Sequence, residues 1–181
     1  MMKRSIGCVL VVLTPFVLTF CGNNEPNVVT AATNGAVDIF DACDPATFNA
    51  TFGEGTCTQL PTVRTITLSE FANELAANKS VAAWRFDPTS ITITAGGTVT
   101  ATNLGGESHT FTEVARFGGG RVPVLNQASG NPVEAPECAA LKDSALIAPE
   151  ASFTTAPILG VGPHLFQCCI HPWMRATVTG Q

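Results

Sequence analysis

Hydrophobic positions along the chain fall into distinct regimes. Residues 6–20 are a continuous apolar run, preceded by Lys3 and Arg4. Residues 22–36 are small and polar and read as a flexible tether. Residues 37–62 contain Gly, Pro, Asp, Cys43 and Cys57, with no clear period. Thr67-Leu68-Ser69-Glu70 is a capping-box pattern, and Phe71, Ala72, Leu75 and Ala76 follow at helical spacing, which predicts one short helix ending near Asn78. From residue 81 the period turns to two. Ile91-Thr92-Ile93-Thr94 and Thr98-Val99-Thr100-Ala101-Thr102 alternate around Ala95-Gly96-Gly97, which predicts a hairpin with one apolar face. Further strands are predicted over 109–114, 152–155, 164–168 and 176–179. Residues 117–150, rich in Gly, Pro and Asn, read as a long irregular excursion. Short strands with one helix predict a mostly β sandwich.

Composition agrees and narrows the function. Apolar residues make up 45% of the chain and charged residues 13%, with 16 Gly and 12 Pro, a mix that suits a β-rich, loop-rich globule. The net charge is −5, and without Lys3 and Arg4 seven basic residues stand against fourteen acidic ones, giving −7. No basic run exists, so nucleic-acid binding is not expected.

Residues 1–21 read as an export signal, the apolar run being short for a membrane span. Leu18-Thr19-Phe20-Cys21 resembles the lipobox of bacterial lipoproteins, which implies lipidation of Cys21 and a membrane tether. Ordinary cleavage near Val29-Thr30-Ala31 and an uncleaved anchor are the alternatives. All three place the domain outside the cytoplasm, in the periplasm or beyond the cell. The cysteines fit export. Of seven, Cys8 and Cys21 belong to the signal, and one metal ligand among the remaining five would leave four for two disulfides.

The chemistry concentrates in Phe166-Gln167-Cys168-Cys169-Ile170-His171-Pro172-Trp173-Met174. Cys168, His171 and Met174 place a thiolate, an imidazole and a thioether on one loop after a predicted strand. Soft sulfur donors select copper, and two histidines with one cysteine and an axial methionine define a blue-copper electron-transfer site. The second histidine is His109 or His164. His164 lies four residues before Cys168 on the same strand face, about 13 Å away, too far to share an ion. His109 is therefore the expected ligand and His164 a structural residue. Neighbouring strand residues point to opposite faces, so Cys169 points away from the metal and Cys138 is its natural partner. Cys169 as the ligand would leave the less suitable spacing Cys-x-His. A local Cys43–Cys57 bridge would pin the N-terminal segment. Structural zinc would need a second Cys or His pair, which the chain lacks.

These residues resemble the cupredoxins, the family of plastocyanin, pseudoazurin and amicyanin. Cys-x2-His-Pro-x-Met is similar to the short ligand loop of amicyanin. Asn103-Leu104-Gly105-Gly106-Glu107-Ser108-His109 resembles the upstream histidine segment, and His164 stands where plastocyanin-like chains carry a tyrosine. The resemblance covers residues 81–181, with residues 37–80 as an N-terminal extension. It implies a Greek-key sandwich and one copper ion held by His109, Cys168, His171 and Met174, cycling between Cu(I) and Cu(II). It also implies a monomeric electron carrier that meets transient redox partners. His171 would offer the edge for electron exchange, flanked by Pro172 and Trp173. Three histidines are too few for a catalytic multicopper cluster, so an enzyme is not expected. Copper capture or delivery is the alternative function, though the chain lacks Met- and His-rich tracts.

Overall fold

The computed structural model describes residues 33–58, 64–158 and 160–181, which belong to one compact unit. The export signal, Cys21 and most of the tether lie outside the described residues.

Among the described residues, eight strands form two four-stranded sheets. The first has the order β2-β1-β4-β6, from β1 (Gly35–Phe40), β2 (Arg85–Asp87), β4 (Val99–Asn103) and β6 (Ser152–Thr154). The second has the order β3-β8-β7-β5, from β3 (Ser90–Ile93), β5 (Thr112–Val114), β7 (Gly162–Gln167) and β8 (Arg175–Gly180). Both are mixed: β1 runs parallel to β4, and β3 parallel to β8. The mostly β sandwich expected from the sequence is present.

Period-two patterning sets which side chains fill the interior. Val99, Ala101 and Asn103 of β4 are buried and alternate with half-buried Thr100 and Thr102, while Ala176 and Val178 of β8 alternate in the same way. Across the core, Phe111 stacks on Phe166 at 4.4 Å between ring centroids, and Phe86 meets Phe111 edge-on at 5.2 Å.

Four departures from the sequence reading matter. The predicted hairpin is not one, because β3 and β4 lie in different sheets. Alternation states which face of a strand is apolar and says nothing about its neighbour. Here Ile91 pairs in register with Val178, and Ala101 with Val37 and Phe153, while the turn is held by Gly96 N–H donating to the Ile158 carbonyl at 2.7 Å. Second, β1 begins within the stretch read as tether and sits between β2 and β4, so the sandwich starts near residue 35 and 80/81 is no domain boundary. Third, there is more helix than the one expected, α2 (Leu68–Asn78), whose capping box is formed by Thr67 and Glu70. Helix α1 (Pro45–Phe52) precedes it. Fourth, the irregular excursion of residues 117–150 is interrupted by short helices. It holds α3 (Pro123–Ala128), α4 (Pro136–Ala139) and a 3-10 turn, Asp143–Ala145. Pro at the first helical turn starts α1, α3 and α4. The excursion covers the outer face of β5 and β7, where Val114, Ala135, Cys138 and Cys169 form a small second core.

His164 lies at the end of β7 remote from Cys168. Its Nδ1 is 2.7 Å from Glu113 Oε1 and its Nε2 3.2 Å from the Gly160 carbonyl. The Glu113 bond raises its pKa, against a smaller opposing effect of burial. A raised folded-state pKa contributes stability below the unfolded value of about 6.5, lost as pH rises through the folded value. Urea unfolding between pH 6 and 8 should therefore show a decline of less than about 1 kcal/mol, given the exposure of the pair, that Glu113→Gln flattens.

Candidate metal centre

His109, Cys168 and His171 come from two chain segments and meet at one end of the sandwich. The segment carrying His109 is pinned by Asn103, buried at the end of β4. Asn103 donates from Nδ2 to the Glu107 and Ile147 carbonyls at 2.7 and 2.9 Å, and its Oδ1 accepts from Gly105 N–H at 2.9 Å. His109 exchanges two backbone hydrogen bonds with Ile147, at 3.1 and 2.8 Å. One residue on, Thr110 Oγ1 accepts from Cys169 N–H at 2.8 Å, which ties this segment to the second one.

The second segment is the loop between β7 and β8. Cys168 N–H donates to the Met174 carbonyl at 3.0 Å, and Met174 N–H to the His171 carbonyl at 2.9 Å. Cys168, His171 and Met174 are thus held on one tight, buried loop. Behind it, Gly120 packs so closely on the Cys169 carbonyl that a Cβ would collide with it.

The donor atoms converge. Cys168 Sγ lies 3.7 Å from His109 Nδ1 and 3.9 Å from His171 Nδ1, and the three donor atoms lie within 4.8 Å of one another. Cys168 is the free cysteine among the described residues, since Cys43 pairs with Cys57 and Cys138 with Cys169. Both bridges are the ones the sequence leads one to expect, and they fit an oxidising compartment. An imidazole–thiolate–imidazole set with all three side chains buried can hold a soft transition metal, and copper is the metal this donor chemistry favours. His164 is not part of the cluster.

The electrostatics support a deprotonated sulfur. Burial alone would push the Cys168 thiol up, but hydrogen bonds from His109 and His171 and their charges outweigh it and hold the pKa well below the ordinary thiol value. For His109, burial pushes down while hydrogen bonds to Asp41 and Cys168 push up, and the balance lies at about 10. Thiolate is the form that binds metal.

Sequence reasoning missed the groups around these donors. Asp41, just past β1, is buried, with Oδ2 2.8 Å from His109 Nε2. Glu107 is buried, with Oε2 accepting from Trp84 Nε1–H at 2.6 Å and lying 3.6 Å from His171 Nε2. Burial raises the pKa of Glu107, opposed by the charge of His171. No period marks Asp41, and it stands 68 residues from His109 in sequence.

His171 does not present the open edge expected of it. It is 4% exposed, beneath the rings of Trp84 and Trp173, which Phe48 and Phe71 of the N-terminal segment back in turn. Trp173 lies 5.4 Å and Trp84 6.4 Å from its ring, Phe71 touches both tryptophans, and Phe48 stacks on Trp84 at 5.9 Å. Pro172 is buried too. The physical cause is α1 and α2, whose apolar faces close over this end of the sandwich. A groove of about 250 Å³, lined by Phe48, Phe52, Phe71, Val124, Leu125 and His171 among others, lies against this end.

The chain matches no family model and no curated protein sequence. Among solved structures it is similar to a purple cupredoxin from Nitrosopumilus maritimus, at 15% identity over 82% of this chain and 100% of that one, with a TM-score of 0.45. It is similar to the oxidised plastocyanin of the fern Dryopteris crassirhizoma, at 25% identity over 54% of this chain and 89% of that one, with a TM-score of 0.37. A Cu(I) amicyanin variant is similar at 17% identity over 56% and 78% of the two chains, with a TM-score of 0.38.

Proposed function

We propose that this protein is an exported electron carrier that binds one copper ion through His109, Cys168, His171 and Met174. The observation that carries the reading is the buried convergence of two imidazoles on a thiol that takes no part in a disulfide. Bound copper supplies a one-electron couple. The chain supplies two nitrogens and two sulfurs, a thiolate and a thioether, excludes bulk water, and holds the donors on hydrogen-bonded loops so that their positions change little with oxidation state.

Aromatic packing over His171 favours an electron carrier over a capture or delivery protein. A site whose donors are 0–4% exposed releases its ion only after the covering segment opens. Electrons leave past His171, toward the groove where Phe52 and Val124 are 60% and 70% exposed. Such an apolar patch suits a small, transient interface with a redox partner. The protein works as a monomer, without nucleic acid, outside the cytoplasm and tethered to a membrane where Cys21 carries lipid.

The test is the full chain, exported to an oxidising compartment and given one equivalent of copper(II). An intense thiolate-to-copper absorption band that a mild reductant bleaches reversibly is expected. Cys168→Ser should abolish the band and weaken copper(II) binding by more than the roughly 10–100-fold typical of losing an outer partner of a ligand. Copper bound without the band, or a band that survives Cys168→Ser, would move the reading to capture or delivery.

A further inference from the structure

Each histidine of the cluster turns Nδ1 toward the Cys168 sulfur and Nε2 toward a carboxylate. For His109 the carboxylate is Asp41, at 2.8 Å between two side chains that are both 0% exposed. For His171 it is Glu107, at 3.6 Å, beyond hydrogen-bond reach.

Asp41 is itself immobilised. Its Oδ1 accepts from Cys43 N–H at 3.2 Å and Gly106 N–H at 2.9 Å, and its Oδ2 accepts from Glu107 N–H at 3.0 Å as well as facing His109. Gly105 lets it approach, since a Cβ there would collide with the carboxylate. Three backbone donors from two segments therefore fix the direction of the oxygen that His109 meets. A neutral backbone carbonyl at this place would orient the ring equally well. A carboxylate does so and adds a buried negative charge close to the centre.

We infer that Asp41 is the positioning residue of the copper centre: it takes the His109 Nε2–H bond, leaves Nδ1 free for the metal, and favours the more highly charged oxidised ion. The inference rests on the copper reading above. A ligand histidine bound through its other nitrogen to a carboxylate is a more basic donor. A buried charge also interacts more strongly with a divalent than with a monovalent ion. Glu107, held by Trp84 and without a hydrogen bond to His171, acts through its field alone and contributes less.

The experiment compares wild type, Asp41→Asn and Glu107→Gln as full chains. Copper(I) and copper(II) affinities and the reduction potential are measured for each. In Asp41→Asn the copper(II) affinity should fall about 10-fold or more while copper(I) affinity changes less. Each tenfold difference between the two states raises the potential by about 59 mV. Glu107→Gln should shift it the same way by less. Equal losses in both affinities with an unchanged potential would reduce Asp41 to a structural role and overturn the inference, leaving the thiolate band and the electron-carrier reading intact. The zinc(II)-loaded wild type gives a readout that needs neither redox chemistry nor a folded Asp41 variant. Long-range proton–nitrogen NMR should find the His109 proton on Nε2, and a proton on Nδ1 would overturn the inference whether or not the copper protein is blue.

Discussion

Trp84→Ala is expected to lower the unfolding free energy by about 3–5 kcal/mol, the cost of emptying a large aromatic site that cannot collapse. Trp84 is 1% exposed and meets Phe48 at 5.9 Å and Phe71 at 4.8 Å. Its indole is the donor to Glu107 Oε2 at 2.6 Å, so the substitution also leaves a buried carboxylate without its hydrogen bond. The damage should reach the metal end. With Trp84 gone, Glu107 loses the group that holds it beside His171, and the covering over His171 loses its centre. Urea unfolding gives the stability. Exchange of bound copper with a chelator gives the second effect, which should be faster than in wild type. Trp84→Phe should recover much of the stability, since it refills most of the volume, but not the hydrogen bond. A loss below about 1 kcal/mol would mean that the N-terminal segment packs loosely on the sandwich.

Removing the Cys138–Cys169 bridge in the double variant Cys138→Ala, Cys169→Ala should cost about 3–4 kcal/mol, from the closure entropy of a loop of 31 residues. The bridge joins α4 to the residue next to the thiol of the centre, behind the loop that carries Cys168, His171 and Met174. The single variant Cys138→Ser should be worse for the metal than the double one. It frees a second thiol at Cys169, adjacent to Cys168, which competes for a soft ion or forms wrong bridges. Thermal unfolding with and without reductant measures the first effect. The intensity of the thiolate-to-copper band in the single and double variants measures the second. Equal bands in both would remove the protective role of the bridge and leave only its stabilisation.

How much of this was legible in the sequence depends on the distance over which each residue acts. The α2 helix was readable because its capping box and apolar spacing lie within twelve residues. Cys168 and His171 were readable for the same reason: a loop that presents sulfur and imidazole needs them close in sequence. The position of His109 in the cluster followed by elimination among three histidines. The hairpin expected at 91–102 was misread because period-two alternation is the same whether two strands pair side by side or face each other across a core. Strand β1 and helix α1 were missed because residues 37–62 show no sustained period, and β1 acquires its conformation from two ladders with neighbours about fifty and sixty residues away.

By itself, then, the sequence determined a β sandwich, two disulfide bridges, and a soft-donor loop. All three rest on local spacing and on counts of residue types, which the chain carries before it folds. Tertiary structure alone decided the sheet partners, the burial of His171 under Trp84 and Phe71, and the carboxylates beside the two histidines. Burying an acid is costly unless donors converge on it, and the donors that surround Asp41 come from Cys43, Gly106, Glu107 and His109. That convergence exists only once β1 has paired with β4 and the histidine segment has closed over it.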